Sequence, residues 1–527
     1  MFQKLASTYH EKYVKGKNFV MTSFVPKGQL ELAVEGTEMA QVDEEKIVAM
    51  SEEPKTEKLE SKEEILQTPS LIDRSVQPPL GNPPNLNVPK TWSKQLDNGI
   101  KVLGITQTEV PLVDFFIAID GGHALDDLNK SGVAYLMASL MNEGTATKTP
   151  EDLEEEIELL GSSIGIRATN ESVYISGNTL KRNLAKTMAL TEEMLLQPRW
   201  DEKEFQRIKT NTINGIKRRL ADPESIADNA FDLVLYGQYH PLGQTYYGTV
   251  ETIEAITLDE VKEFYNHYIV PSLARVLVVG DVTQKETEKV LQNLATNWTS
   301  KEVQLPAYTL PKQSETSTLY FVDVPDAKQS IIQIGNLALK RTDPDYEAVQ
   351  VMNYKLGGAF NGNLNMILRE EKGFTYGARS GFSGSELVAQ FTISTSVRSN
   401  ATLESVQIIR DEIDKYKQGI TPGDLEFTKN ALLKSNALRF ETHNELLNLL
   451  FEMSKYNLPT NYIEQEEDII RNMTLEEHKA LANKYLDIDK MIYVIVGDAK
   501  TQFELLKTIG FDEVKLLDKT GNEIELQ

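Results

Sequence analysis

The sequence predicts an α+β fold: two tandem homologous units, each a mainly antiparallel sheet with helices packed on one face, preceded by an N-terminal partial unit and a linker. Three observations predict it. At 527 residues the chain is too long for a single core and calls for about two to four domains. A closing segment recurs: E-F-Y-N-H-Y-I-V-P-S-L-A-R-V-L-V-V-G-D from Glu263 and A-L-A-N-K-Y-L-D-I-D-K-M-I-Y-V-I-V-G-D from Ala480 each run from an amphipathic helix through a short break into a β-branched strand. In front of each closing segment, strand patterns give way to helical ones.

The elements follow in order. T-Y-H-E-K-Y-V-K-G-K-N-F-V-M-T-S-F-V-P from Thr8 resembles the two closing segments with no unit before it, so residues 1–42 read as the end of a preceding repeat. Residues 43–90 read as a linker, first acidic and without an apolar stripe, then stiffened by P-P-L-G-N-P-P-N-L-N-V-P. The first unit, 91–298, opens on two strands about an Asp97-Asn98-Gly99 turn, followed by the buried strand in P-L-V-D-F-F-I-A-I-D. A helix over Gly132–Thr145 comes next, and Thr149 with Pro150 provides the cap and first turn of another. I-G-I-R-A-T and S-V-Y-I-S-G read as strands, and helices fill most of 180–270. A connector, 299–318, leads to the second unit, 319–527, where L-Y-F-V-D-V and Q-S-I-I-Q-I-G-N read as strands and 346–356 as a helix.

Composition narrows the function classes. A formal charge of −24 argues against nucleic acid and anionic membranes, which are bound through excess lysine and arginine, and leaves a peptide partner, with a bias toward basic ones. Without cysteine there is no disulfide framework and no thiolate ligand or nucleophile. No apolar run is long enough to span a membrane. The N-terminus lacks the apolar core of a signal peptide; if 1–42 closes a longer protein, such a signal would sit on the missing part, and the compartment stays open between bacterial periplasm and cytoplasm.

The stretch G-V-A-Y-L-M-A-S-L-M-N-E-G-T, Gly132 to Thr145, resembles the zinc helix of the pitrilysin/insulinase family of inverted metallopeptidases, G-L-A-H-x-x-E-H-x-x-x-x-G-T. The frame matches at Gly132, Ala134, Gly144 and Thr145. Tyr135 and Ser139 fall where the family keeps two zinc-binding histidines, Ala138 where it keeps the glutamate that activates water, and Gly215 where a second helix brings the third ligand. Neutral hydroxyls are poor zinc donors, and neither Gly215 nor Asn214 carries a carboxylate. The six histidines, at 10, 123, 240, 267, 443 and 478, include no pair at helical ligand spacing. His123 and His240, in G-G-H-A-L-D-D and Y-G-Q-Y-H-P-L-G, read as structural.

L-G-G-A-F-N-G-N-L-N-M-I-L-R-E-E-K-G-F-T-Y-G-A-R-S is similar to the family's G-G-x-F-x-S-x-L-x-x-x-L-R-E-x-x-G-L-A-Y over some twenty positions. The resemblance implies that Arg369 holds a peptide through its planar fork and that Tyr376 donates to the oxyanion formed in hydrolysis. The alternative is that Arg369 caps a helix and Tyr376 packs in a loop. In this family one subunit can keep the zinc and the other the Arg/Tyr pair, as in bacterial heterodimers; the mitochondrial processing peptidase also pairs an active subunit with a zinc-less one. The resemblance therefore implies a zinc-less subunit, or C-terminal half, that binds no metal itself. It would form one wall of a clamshell chamber beside an H-x-x-E-H-bearing partner that holds the zinc and hydrolyses peptides. The competing expectation is a non-enzymatic structural or peptide-binding module resembling the core subunits of the bc1 complex.

Overall fold

The computed structural model describes residues 9–18, 20–23, 25, 28–36, 38, 73, 76, 81, 86–309 and 311–525. The chain divides into two compact parts, Met1–Thr68 and Pro69–Gln527, and the second, the larger unit, contains both of the sequence-defined units 91–298 and 319–527. In the first, residues 9–13 form a helical turn in which the rings of Tyr9 and Tyr13 stack at 5.9 Å, and Leu30–Leu32 forms a 3₁₀ turn. The strand expected after the helix is absent from 20–23 and 25, which are irregular, with Val20 95% exposed. A lone strand without a sheet to join has no stabilising partner. Most of the expected linker lies outside the described residues; its end, at Leu86 and Val88, packs on the larger unit's core.

The larger unit holds two six-stranded sheets. The strands are β1 (Thr91–Gln95), β2 (Lys101–Thr106), β3 (Leu112–Asp120), β4 (Ser163–Ala168), β5 (Ser172–Leu180) and β6 (Ala274–Gly280), then β7 (Thr318–Asp323), β8 (Gln329–Leu337), β9 (Thr375–Phe382), β10 (Gln390–Arg398), β11 (Ile492–Gly497) and β12 (Glu513–Leu517). The orders are β1-β2-β6-β3-β5-β4 and β12-β7-β11-β8-β10-β9. Five strands correspond, and β2–β6 and β7–β11 are the matching parallel pairs. The outer strands differ: β1 comes from the N-terminal hairpin and runs antiparallel to β2, whereas β12 comes from the C-terminal end and runs parallel to β7. The tandem repeat read from the sequence is thus present in the fold, with a different edge strand in each copy.

Both closing strands, β6 and β11, are buried along their whole length, which fits their continuous apolar runs and requires cover on both faces. One face of each sheet carries its own unit's helices. The other is covered by a helix from the opposite unit, a feature beyond the one-sided packing expected from sequence. Helix Pro223–Tyr236 lays Ile226, Phe231 and Leu235 against Val494 and Val496 of the second sheet. Helix His443–Lys455 returns the arrangement, with Leu446, Leu447 and Leu450 against Leu277 and Val279 of the first.

Helix starts are fixed by side chains. Among the described residues, seven helices begin with a capping box whose N-cap is threonine, at Thr149, Thr249, Thr257, Thr283, Thr421, Thr442 and Thr474, each hydroxyl accepting the N3 amide. The helix from Thr474 carries His478 into the second core, where it is fully buried, its Nε2 3.1 Å from the hydroxyl of Tyr416, which itself donates to the carbonyl of Met352 at 2.6 Å. With that hydroxyl proton committed, Nε2 carries the imidazole proton and Nδ1 is left without a partner.

Burial lowers the His478 pKa to about 4. The unfolded chain takes up that proton below about 6.5 and the folded chain does not, so this residue's contribution is complete above pH 6.5 and falls away toward pH 4, by on the order of 3 kcal/mol. Carboxyls pushed up to about 7, those of Asp232 and Glu347, pull the opposite way over the same range. The difference between wild type and His478→Gln removes their share. Urea titrations at pH 7.5 and 5 should show the variant losing less stability than wild type on acidification; equal losses would contradict the assignment.

Candidate functional site

The segment resembling a zinc helix forms Val133–Leu140. Its start is built by buried groups: the Asp126 carboxylate accepts the amides of Gly132 at 2.7 Å and Ala134 at 2.9 Å, and His123 Nδ1 lies 2.9 Å from it. His123 Nε2 reaches the carbonyl of Pro241 at 3.0 Å. Burial raises the Asp126 pKa against the hydrogen bonds that lower it. The matching frame positions have backbone reasons to persist. Gly132 sits at φ 104°, where a Cβ would lie 2.7 Å from Ile253 Cδ1, and Gly144 at φ 91°, where it would lie 2.6 Å from the carbonyl of Lys148. Thr145 donates to Glu193 at 2.5 Å, and Glu193 also accepts from Thr147 and Lys148.

The positions that carry chemistry in the resemblance are occupied differently. Tyr135 is half-buried with its ring edge-on to Tyr246 at 5.9 Å; Tyr246 meets Tyr247 at 5.2 Å, and the Arg219 guanidinium covers Tyr247 at 4.7 Å. Arg219 stands one helical turn beyond Gly215, on the same face. Ala138 is 1% exposed in the core and Ser139 is half-buried. An aromatic cluster with a cation over it lies against Tyr135, and the donors present do not fit zinc. Among the described residues no group of three or more His, Asp or Glu stands where it could hold a metal ion. Tyr246, Tyr247 and Arg219 lie outside the positions the sequence motif marks; the tyrosine doublet in Y-G-Q-Y-H-P-L-G-Q-T-Y-Y-G-T is the signal that points to them. His240 is buried, stacked on Tyr236 at 5.5 Å, and its Nδ1 accepts the amide of Leu242.

Gly215 leaves room for a side chain, since the nearest group to an added Cβ is the Arg218 guanidinium at 3.9 Å. The combined variant Tyr135→His, Ser139→His, Gly215→Glu should therefore bind about one zinc per chain, measured by atomic emission after desalting, while wild type binds none. A variant that stays metal-free would show that these three positions do not converge.

The Arg/Tyr segment lies at the far edge of the second sheet. Two π-helical turns, Tyr354–Gly358 and Met366–Glu371, flank the glycine-rich loop, an irregularity frequent at functional sites. Two asparagines, each 2% exposed, fasten the segment to β9: Asn353 Nδ2 donates to the carbonyl of Ser380 at 2.8 Å, and Asn365 joins the carbonyl of Phe360 at 2.6 Å to the amide of Ala378 at 3.1 Å. The Arg369 guanidinium lies over the ring of Phe360 at 4.6 Å, with Glu370 Oε1 3.4 Å from its Nε. Phe360 is 63% exposed and Tyr376, on edge strand β9, is 91% exposed. Tyr376 borders a cavity of about 470 Å³ that Asp228 and Gln333 also line. No hydrogen bond, ion pair or ring contact among the described residues joins Arg369 or Tyr376 to Tyr135, Ala138, Ser139 or Gly215. The two sets stand on separate units of the fold.

Two tandem α+β units, each a six-stranded sheet packed with helices, define the architecture. The chain belongs to the M16 (insulinase) family: residues 101–238 match the model "Insulinase (Peptidase family M16)" and residues 255–432 the model "Peptidase M16 inactive domain". It is similar to "Non-peptidase homolog YmxG" of Helicobacter pylori, 26% identical over 74% of this chain and 90% of the relative. It is also similar to the mitochondrial-processing peptidase subunit beta of Dictyostelium discoideum, 26% identical over 54% of this chain and 61% of the relative. Among solved structures, the peptidase M16 inactive domain from Pseudomonas fluorescens superposes with a TM-score of 0.72 at 26% identity, over 77% of this chain and 98% of that one. No helix among the described residues is long and apolar enough to cross a membrane.

Proposed function

We propose that this chain is the zinc-less half of an M16 peptidase, forming one wall of a clamshell chamber and lending Arg369 and Tyr376 to a partner, an H-x-x-E-H-bearing subunit or N-terminal half, that holds the zinc. The observation that carries the reading is the contrast between the two candidate sites: Tyr135 is half-buried with its ring edge-on to Tyr246, whereas Tyr376 stands 91% exposed on edge strand β9, which follows the π-helical turn that carries Arg369. An exposed phenol on a rigid strand can donate to an oxyanion developing on a peptide carbonyl, and a guanidinium held over Phe360 can take a backbone carbonyl or carboxylate of an extended peptide. Zinc, in the partner, supplies the activated water. Residues 1–42 would be the closing part of the preceding repeat and 43–90 the tether that lets the chamber open and close.

A second reading, a peptide-binding or structural module without any hydrolytic partner, draws on the similarity to the non-peptidase homolog of Helicobacter pylori. Mixing the purified chain with an H-x-x-E-H-bearing family subunit separates the two. The proposal expects a complex on gel filtration and at least a tenfold rise in peptide hydrolysis over the partner alone; a complex without stimulation, or no complex, supports the second reading.

A further inference from the structure

Residues 8–26 align without a gap on the two closing segments, and the alignment sets Tyr13 against Tyr268 and Tyr485. Those two tyrosines end the helices Leu258–Tyr268 and Leu475–Tyr485, and the helical turn 9–13 stops at the same place. Beyond it the three segments part. Val14 is exposed, whereas its counterparts Ile269 and Leu486 are buried. Val20 is 95% and Met21 51% exposed, whereas their counterparts, Arg275 and Val276 in β6 and Ile492 and Tyr493 in β11, are all buried. Tyr9, Tyr13, Leu30 and Leu32 stand in solvent as well. Large apolar side chains gathered in solvent on one short segment mark an interaction surface.

The two sheets indicate what fits it. β6 lies between β2, to which it is parallel, and β3, to which it is antiparallel; β11 lies in the same way between β7 and β8. A closing strand therefore belongs in the interior of a sheet, hydrogen-bonded along both sides and buried on both faces. The sequence of 19–25, F-V-M-T-S-F-V, has the aromatic and β-branched content of such a strand, and Pro26 follows to end it. A second copy of this chain offers no place for it, because both of its sheets already hold a closing strand of their own. We infer that residues 19–25 are a donor strand: they fill the interior slot of a third sheet, carried by the H-x-x-E-H-bearing half and lacking its own closing strand, and pair parallel to one neighbour and antiparallel to the other. Backbone hydrogen bonds on both sides supply the affinity, and the apolar side chains select the slot. The inference rests on the proposed partnership and adds to it the place where the two halves join.

Mixing the full chain with an H-x-x-E-H-bearing family subunit that ends before its second closing strand, and following backbone amide exchange at 20–25 by mass spectrometry, tests it. Exchange at these amides is expected to slow at least 100-fold in the complex. The double variant Val20→Asp, Met21→Asp changes side chains that stand in solvent in the free chain, so its urea midpoint should match wild type while the complex weakens at least 100-fold. A complex in which these amides exchange as fast as in the free chain, or one that the double variant forms with equal affinity, overturns the inference, and a rise in peptide hydrolysis in that same complex leaves the partnership standing. Protected amides without any rise in hydrolysis uphold the donor strand and count against the catalytic reading; absence of a complex overturns both.

Discussion

Tyr376→Phe should lower kcat of the reconstituted pair about 100-fold or more, the loss that follows removal of one oxyanion donor. The variant deletes a single oxygen from a ring that is 91% exposed, so the fold loses no buried area and its stability should move by no more than about 0.5 kcal/mol. The change in rate would then report chemistry rather than packing. Arg369→Lys should act differently, raising KM more than it lowers kcat, because a point charge cannot reproduce the planar fork that would hold the peptide. In a purely structural descendant both substitutions would leave any activity of the partner unaltered.

Phe231→Ala should cost about 3–5 kcal/mol, the usual range for emptying a fully packed phenylalanine site. Phe231 is 1% exposed and belongs to the first unit by sequence, yet its ring packs on the second sheet, close enough that a Cβ on Gly335 would meet it at 3.0 Å. Because each unit covers the other's sheet, both should unfold together. The three tryptophans, Trp92, Trp200 and Trp298, all lie in the first unit and report on it alone, whereas far-UV circular dichroism reports on both. Coincident urea transitions, shifted together by Phe231→Ala, are expected; a variant that loses ellipticity while tryptophan fluorescence holds would show that the two units are not interlocked.

The sequence revealed the repeat because closing strands such as V-L-V-V and Y-V-I-V are continuous apolar runs, and it located the strands of the first unit from the Asp97-Asn98-Gly99 turn and the flanking alternation. Those same runs imply cover on both faces, but periodicity states only that a face is covered, never by which helix. The crossing of Pro223–Tyr236 and His443–Lys455 was therefore invisible. Lys455 shows the same limit: at the end of a helix it reads as a solvated cation near the carbonyl terminus, and its burial depends on Asp120, 335 residues away. At the candidate sites, Tyr135, Ala138, Ser139 and Gly215 were legible through the resemblance to the family's zinc motif, with donor chemistry adding that such side chains make poor zinc ligands. What fills the space was not, since the meeting of Tyr135 with Tyr246 and of Arg219 with Tyr247 is a property of the folded loop.

The central claim concerns where the zinc and the attacking water reside, and one measurement reaches it directly: strip the isolated chain of metal, resupply Zn²⁺, and record bound zinc and peptide hydrolysis before and after adding the H-x-x-E-H-bearing subunit. The account predicts no stoichiometric zinc and no cleavage by the chain alone, with both appearing in the mixture and the cleavage dependent on Tyr376. One zinc per isolated chain together with peptide cleavage would contradict it.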